Sequence, residues 1–280
     1  MTYSSPMNSM SAYGWQESQN EMICSTNLGE IIQSLKESVR LQNRVFYPQR
    51  ILRGLINFKI EDEDELDKGK QKKYLELILD SMDLCKEVYA TKFYDKKLED
   101  FDNKLKLYCQ DINIGEIPLT RRKIIEESDY FTWEATHPLK NQITAEAISQ
   151  FSRMLMIPIA HGSLRAATDI FLRYKDMKPE SDSVIYPVRF STDKFKDRTL
   201  RLNEIEEEYL EKEAKRRRVV IFDEDVDSGE TLTKAVRFFE NLLEKQVDIA
   251  ANLYRKKGES NSYSGIIPRK ILRTNFRRKL

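Results

Sequence analysis

The chain has 280 residues, a formal net charge of +1, 40% hydrophobic residues and 33% charged residues. This balance is typical of a water-soluble globular protein, and no stretch approaches the roughly 20 apolar residues that a membrane span needs. Because the overall charge is close to zero, nothing draws the chain to nucleic acid as a whole, and nucleic acid is not an expected partner.

The first residues of the chain do not resemble a secretory signal. Residues 1–25 lack the basic start and apolar run of a secretory signal and are predicted to be a poorly ordered leader. The three cysteines, Cys24, Cys85 and Cys109, fit neither a disulfide framework nor a zinc pattern. The expected compartment is therefore the reducing cytoplasm.

Residues 26–130 are predicted to form a helical module of unknown role. Apolar residues recur at spacings of three and four in two stripes, at positions 28, 31, 32, 35 and 39 and at positions 75, 78, 79, 82, 85 and 89. An acidic run at residues 61–65 precedes the second stripe and suits the positive end of a helix dipole. These helices also offer a surface through which a homo-oligomer could form.

Residues 131–280 are predicted to form an α/β domain. Thr144 is expected to cap a helix that carries Ile148, Phe151 and Leu155. Short apolar runs predict strands at residues 156–160, 183–188, 219–222 and 249–254, with helical stripes between them, and the charged residues 193–218 are expected to be largely an exposed helix. Strands that alternate with helices favour a parallel sheet, whose ligands collect at the carboxyl ends of the strands.

The segment VVIFDEDVDSGETL places three acidic residues directly after an apolar strand and opens a helix just beyond them. Gly229 lets the backbone approach a ligand closely, Ser228 and Thr231 offer hydroxyl groups, and a helix start presents free N–H groups to an anion. Carboxylates beside a phosphate site imply a hard cation or the hydroxyl groups of a sugar. A ribose phosphate with Mg²⁺ satisfies both conditions.

At these residues the sequence resembles the type I phosphoribosyltransferases, and in motif the hypoxanthine-guanine enzymes most of all. The resemblance implies that Asp223 and Glu224 are the acidic pair that holds the ribose and Mg²⁺. It implies that the 5′-phosphate loop consists of Val226, Asp227, Ser228, Gly229, Glu230 and Thr231. Asp227 occupies the position assigned in those enzymes to the base that acts on the purine ring. Asp225 departs from the pattern, because the family usually has an apolar residue there.

The run MIPIAHGSLRAA resembles the family's pyrophosphate loop, in which a basic residue, a glycine and a helix follow an apolar strand. The resemblance implies that pyrophosphate contacts His161, Gly162, Ser163 and Arg165. Here His161 replaces the usual basic residue and Ser163 replaces a second glycine. Residues 156–160 and 219–222 should then be neighbouring parallel strands that open on a common cleft.

Together these patterns predict a type I phosphoribosyltransferase fold preceded by a mainly α-helical N-terminal module. The expected activity is Mg²⁺-dependent transfer of a phosphoribosyl group from phosphoribosyl pyrophosphate to a nitrogenous base, with purine favoured, and the expected ligands are that donor and a nucleobase or nucleotide. The alternative is a regulatory protein that binds the nucleotide or phosphoribosyl pyrophosphate without turnover, since a fold does not fix a function.

Overall fold

The computed structural model describes residues 3–11, 28–37, 41–62, 67–91, 94–109, 130–160, 162–190, 200–226, 229–255 and 262–269. The chain divides into two compact units, Tyr3–Trp133 and Glu134–Leu280. The described helices include none that is long and apolar enough to cross a membrane.

The first unit is helical throughout its described residues. A short 3-10 helix, Pro6–Ser9, is followed by α1 (Leu28–Glu37), α2 (Leu41–Asp62), α3 (Lys68–Ala90) and α4 (Asp95–Cys109). Each helix packs on the next, and α1 also packs on α4. The first apolar stripe is buried in α1 at positions 28, 31, 32 and 35, and position 39 lies outside the described residues. The second is buried in α3 except for Leu79, which is half-buried. The prediction of a mainly α first half is therefore confirmed for the part of the chain that the structure describes.

The second unit is a mixed α/β structure built on a mostly parallel sheet. Its helices are α5 (Tyr130–Thr136, which includes the boundary), α6 (Pro138–Ile148), α7 (Leu164–Met177), α8 (Glu204–Ala214) and α9 (Glu230–Leu243). Its strands are β1 (Met154–Ala160), β2 (Val184–Ile185), β3 (Val188–Arg189), β4 (Arg218–Val226), β5 (Asp248–Arg255) and β6 (Ser262–Ile266). The strand order is β2-β1-β4-β5-β6, β3 also pairs with β1, and only β6 among these described strands runs antiparallel to its neighbour.

Two prolines explain why β2 and β3 are separate strands. Both pair with β1, at Leu155 and Met156 for β2 and at Ile159 and Ala160 for β3. Proline has no N–H to give to a ladder, and Pro158 and Pro187 both fall in the gap between these pairings. Tyr186 still donates its N–H to Met156 O at 2.9 Å, so the chain stays attached to β1.

Two of the sequence expectations for this unit are wrong. Thr144 does not cap a helix, because α6 already begins at Pro138, where His137 Nδ1 accepts from the Leu139 N–H. A proline favours the first turn of a helix, and it sets this start. Leu155, expected in the same helix, lies in β1. The second error concerns the acidic turn: β4 continues through Val226, so residues 223–225 belong to a strand.

A buried network of polar side chains joins α6, α7 and β5. Asn252 Nδ2 donates to Asn141 Oδ1 at 2.6 Å and to Ala135 O at 2.7 Å, and Thr144 Oγ1 donates to Asn252 Oδ1 at 2.7 Å. Asn141 in turn donates to Asp169 at 2.7 Å. Buried polar groups that are all paired fix one arrangement of the elements that carry them, and this network fixes three helices, α5, α6 and α7, against the sheet.

Candidate functional site

The order of the strands defines a crevice between β1 and β4. After β1 the chain passes through α7 to β2, which is the neighbour of β1 on the side away from β4. After β4 it passes through α9 to β5, which is the neighbour of β4 on the side away from β1. β1 and β4 are parallel neighbours, with Met154 opposite Arg218 and Pro158 opposite Phe222, which confirms the expected pairing. Ligands of open α/β sheets bind at such a switch point, outside the carboxyl ends of the strands.

Gly162 and Glu224 meet at this edge of the sheet. A Cβ atom on Gly162 would lie 1.6 Å from Glu224 Oε1 and 2.6 Å from Glu224 Cδ. A side chain at position 162 would have to displace the flexible end of Glu224, so Gly162 allows this carboxylate to approach the main chain closely. The structure thus brings together one residue from each of the two loops that the sequence singled out.

The acidic residues of β4 lie in an unfavourable environment for their charges. Burial raises the pKa of Asp223 well above its usual range, and the neighbouring carboxyl groups of Glu224 and Asp225 raise it further. Burial also raises the pKa of Glu224, to about 7, whereas the hydrogen bond from Asp223 and the positive charge of Arg165 lower it. Arg165, near the start of α7, is therefore close enough to act on Glu224.

The loop after β4 ends in a helix start suited to an anion. Gly229 is the N-cap of α9 with φ 74° and ψ 6°, a left-handed conformation, and no side chain caps the helix there. Free N–H groups at a helix start attract phosphate. Thr231 is partly exposed in the first turn, Val226 is buried, and Glu230 forms an ion pair with Lys234 at 2.9 Å.

Three of the predicted site residues, His161, Asp227 and Ser228, lie outside the described residues. A fourth, Ser163, is fully buried, and its hydroxyl group donates to Ile159 O. Any contact of Ser163 with a ligand would therefore use its main chain. The described site residues that the structure brings together are Gly162, Arg165 and Glu224, with Asp223 beside them.

The available oxygen atoms suit a hard cation. Glu224 Oε2 is buried and makes no hydrogen bond with any described residue. Over the described part of the chain, no group of three or more His, Cys, Asp and Glu residues is placed to hold a metal ion. Mg²⁺ does not need such a group, because it usually takes one or two protein carboxylates together with water and substrate phosphates. Asp223 and Glu224 fit that requirement.

The polar network around Asn252 escaped the sequence reasoning. It joins β5 to α6, and β5 pairs with β4 from Val220 to Val226. The signal that could have revealed it is the single asparagine inside the otherwise apolar run IAANLY, since a buried polar residue needs a partner.

Comparison with protein-family models, with curated proteins and with solved structures gave no match to this chain. The chemistry of the site is therefore inferred from its own residues.

Proposed function

We propose that the unit Glu134–Leu280 is a type I phosphoribosyltransferase domain that transfers a phosphoribosyl group to a nitrogenous base, with purine favoured. The donor would be phosphoribosyl pyrophosphate with Mg²⁺, and the product would be a nucleotide and free pyrophosphate. The observation that supports this most directly is the contact of Gly162 with Glu224 at the switch point of the sheet. It places the two loops that resemble the pyrophosphate and ribose phosphate loops beside each other.

Each loop has a physical role in this reaction. The helix start at Gly229 would hold the 5′-phosphate, and the loop at Gly162 with Arg165 would face the pyrophosphate. Mg²⁺, held by Asp223 and Glu224, would neutralise the negative charge of the pyrophosphate. As the bond from ribose C1 to the pyrophosphate oxygen breaks, its electron pair leaves with that oxygen, and the base nitrogen bonds to C1. The proton that this nitrogen loses would pass to Asp227.

A regulatory protein without turnover is the second candidate, and two features of the site favour it. Asp225 adds a third carboxyl group beside the acidic pair, and its charge disfavours the ionised form of Asp223. The hydroxyl group of Ser163 is committed to Ile159 O and is not presented to a ligand. In this case the pocket would bind the nucleotide or its donor, and the helical unit would report the binding.

Two measurements decide between the candidates. Isothermal titration calorimetry of phosphoribosyl pyrophosphate, with and without Mg²⁺, tests binding, and release of pyrophosphate with a panel of purines and pyrimidines tests turnover. The double variant Asp223→Asn, Glu224→Gln should lose Mg²⁺-dependent binding while it stays folded. Glu207→Gln, Glu208→Gln is a matched control, since it removes two adjacent acids from α8 with the same change in charge.

The outcomes are distinct. Mg²⁺-dependent binding with pyrophosphate release supports the enzyme, and binding without release for any base supports the regulatory protein. Absence of binding in the wild type, or equal loss of binding in the control variant, would overturn both.

A further inference from the structure

The side chain of Glu224 occupies the space in which the loop at Gly162 would receive a ligand. The three heavy atoms nearest to a Cβ on Gly162 are Oε1, Cδ and Oε2 of Glu224, at 1.6, 2.6 and 3.1 Å. The whole carboxylate group therefore lies over the backbone of Gly162. A glycine in a pyrophosphate loop lets a ligand come close to the main chain. In this structure the Glu224 carboxylate occupies that position.

The same carboxylate also interacts with the positive charge of Arg165, which a bound anion would need. Arg165 lies near enough to lower the pKa of Glu224. It is the arginine among the residues predicted to contact pyrophosphate, and it lies in α7, the helix that follows the loop. A negative group that lies over a glycine, within the electrostatic reach of an arginine, has the position and the charge of a bound anion.

The carboxylate of Glu224 is not fully hydrogen-bonded in this position. Glu224 Oε2 is buried without a hydrogen bond from any described residue. Buried carboxylate oxygens are nearly always hydrogen-bonded, and one that is not costs free energy. The neighbouring charge of Asp225 opposes the charged form of Glu224 as well. The side chain therefore lacks the full set of partners that would hold both of its oxygens in place over Gly162.

We infer that Glu224 is an internal competitor for the pyrophosphate loop, so that the loop admits a diphosphate only after the carboxylate has turned away from Gly162. The inference rests on the proposed function, because it takes this loop to be the one that binds pyrophosphate. A cation that draws Glu224 toward itself would open the loop, and binding of the metal and of the anion would then be coupled.

The test uses inorganic pyrophosphate as the probe, titrated into the full chain by calorimetry in the absence of any divalent cation. Glu224→Ala removes the competitor and should bind pyrophosphate more tightly than the wild type, by at least about fivefold, the lower end of usual coupling between sites. Asp225→Ala is the matched control, because it removes a carboxylate from the same strand that is not among the atoms nearest to Gly162. Its gain should be clearly smaller.

A double-mutant cycle tests the contact without any ligand. In the wild type, Gly162→Ala should lower the melting temperature slightly, because the new Cβ displaces the flexible end of Glu224. In the Glu224→Ala background the same change should lower it much less. An equal loss in both backgrounds, an unchanged pyrophosphate affinity in Glu224→Ala, or an equal gain in Asp225→Ala would each overturn the inference.

Failure of the inference and failure of the proposed function can be told apart. If the wild type binds phosphoribosyl pyrophosphate with Mg²⁺ while Glu224→Ala shows no gain for pyrophosphate, the inference alone is wrong. If neither the wild type nor Glu224→Ala binds either ligand, the proposed function is wrong and the inference falls with it.

Discussion

Asp223 and Glu224 are consecutive residues of β4, and the charge of Glu224 adds to burial in raising the pKa of Asp223 well above its usual range. Two carboxylates this close repel each other, so the folded pair favours a state in which one of them carries a proton. The folded protein therefore retains a proton that both groups would lose in the unfolded chain near neutral pH. A cation that binds the pair in place of this proton would stabilise its ionised form.

The first prediction is that the ligand-free protein loses stability as the pH rises from about 4.5 to about 7. Both pKa values are higher in the folded state, that of Glu224 at about 7, so over this range the folded chain binds more protons than the unfolded chain. The free energy of unfolding should fall by roughly 1–3 kcal/mol. Urea unfolding at pH 5 and pH 8 measures it.

Asp223→Asn is the variant that tests this origin of the pH dependence. It keeps a hydrogen-bond donor beside Glu224 and removes one of the two charges, so the fall in stability should become smaller. The same slope in the wild type and in Asp223→Asn would contradict the assignment. On the proposed function, Mg²⁺ should bind more tightly as the pH rises over the same range, because it replaces a proton.

Local patterns predicted the elements that carry the site. β1 and β4 were each visible as short apolar runs, and their pairing as parallel neighbours was predicted from the resemblance of the segments that follow them to loops that share one ligand. The end of β4 was not visible, because acidic residues disfavour strands. β5 supplies partners to Asp223 and Asp225 at Ala251 and Leu253, and this pairing overrides the local preference.

Individual side-chain contacts between residues distant in sequence could not be predicted. Gly162 and Glu224 are brought together only by the register of β1 against β4, and the partners of Asn252 lie in α5 and α6. The start of α6 was a different kind of error: the cap was expected at Thr144, although Pro138 is a favoured first residue of a helix.

The second prediction concerns the backbone of Gly229. Gly229→Ala should destabilise the second unit by about 1–2 kcal/mol, because φ is 74° and an alanine is strained there. Asn tolerates the left-handed region better than Ala does, so Gly229→Asn should lose less stability. Urea unfolding of both variants provides the comparison, and equal losses would show that the strain is not in this angle.

The third prediction concerns the buried network. Asn252→Ala should lower the free energy of unfolding by about 3 kcal/mol, because it leaves Asn141 Oδ1, Thr144 Oγ1 and Ala135 O buried without the amide that joins them. Ser264→Ala is the matched control. Its hydroxyl group donates to the Asn252 carbonyl oxygen at 2.5 Å, outside the network, and its removal should cost about 1 kcal/mol. Similar losses in the two variants would mean that the network contributes little.

The fourth prediction separates the enzyme from the regulatory protein through Asp227. In the enzyme, the carboxylate of Asp227 takes the proton of the acceptor base, and such a contribution is typically about 10²- to 10⁴-fold in rate. Asp227→Asn should therefore lower kcat by that factor and change phosphoribosyl pyrophosphate binding much less, since the phosphate is held by the helix start at Gly229. Pyrophosphate release and calorimetry measure the two effects separately.

Glu230→Gln is the control for this variant, because it removes a carboxylate from the same loop, one that is engaged with Lys234 at 2.9 Å. Its kcat should stay within about threefold of the wild type, since an exposed ion pair contributes little. If Asp227→Asn keeps its turnover, the role given to Asp227 is wrong, whereas equal loss of turnover in both variants would trace the effect to the charge of the loop. In the regulatory protein there is no turnover to lose, and Asp227→Asn would alter nucleotide affinity alone.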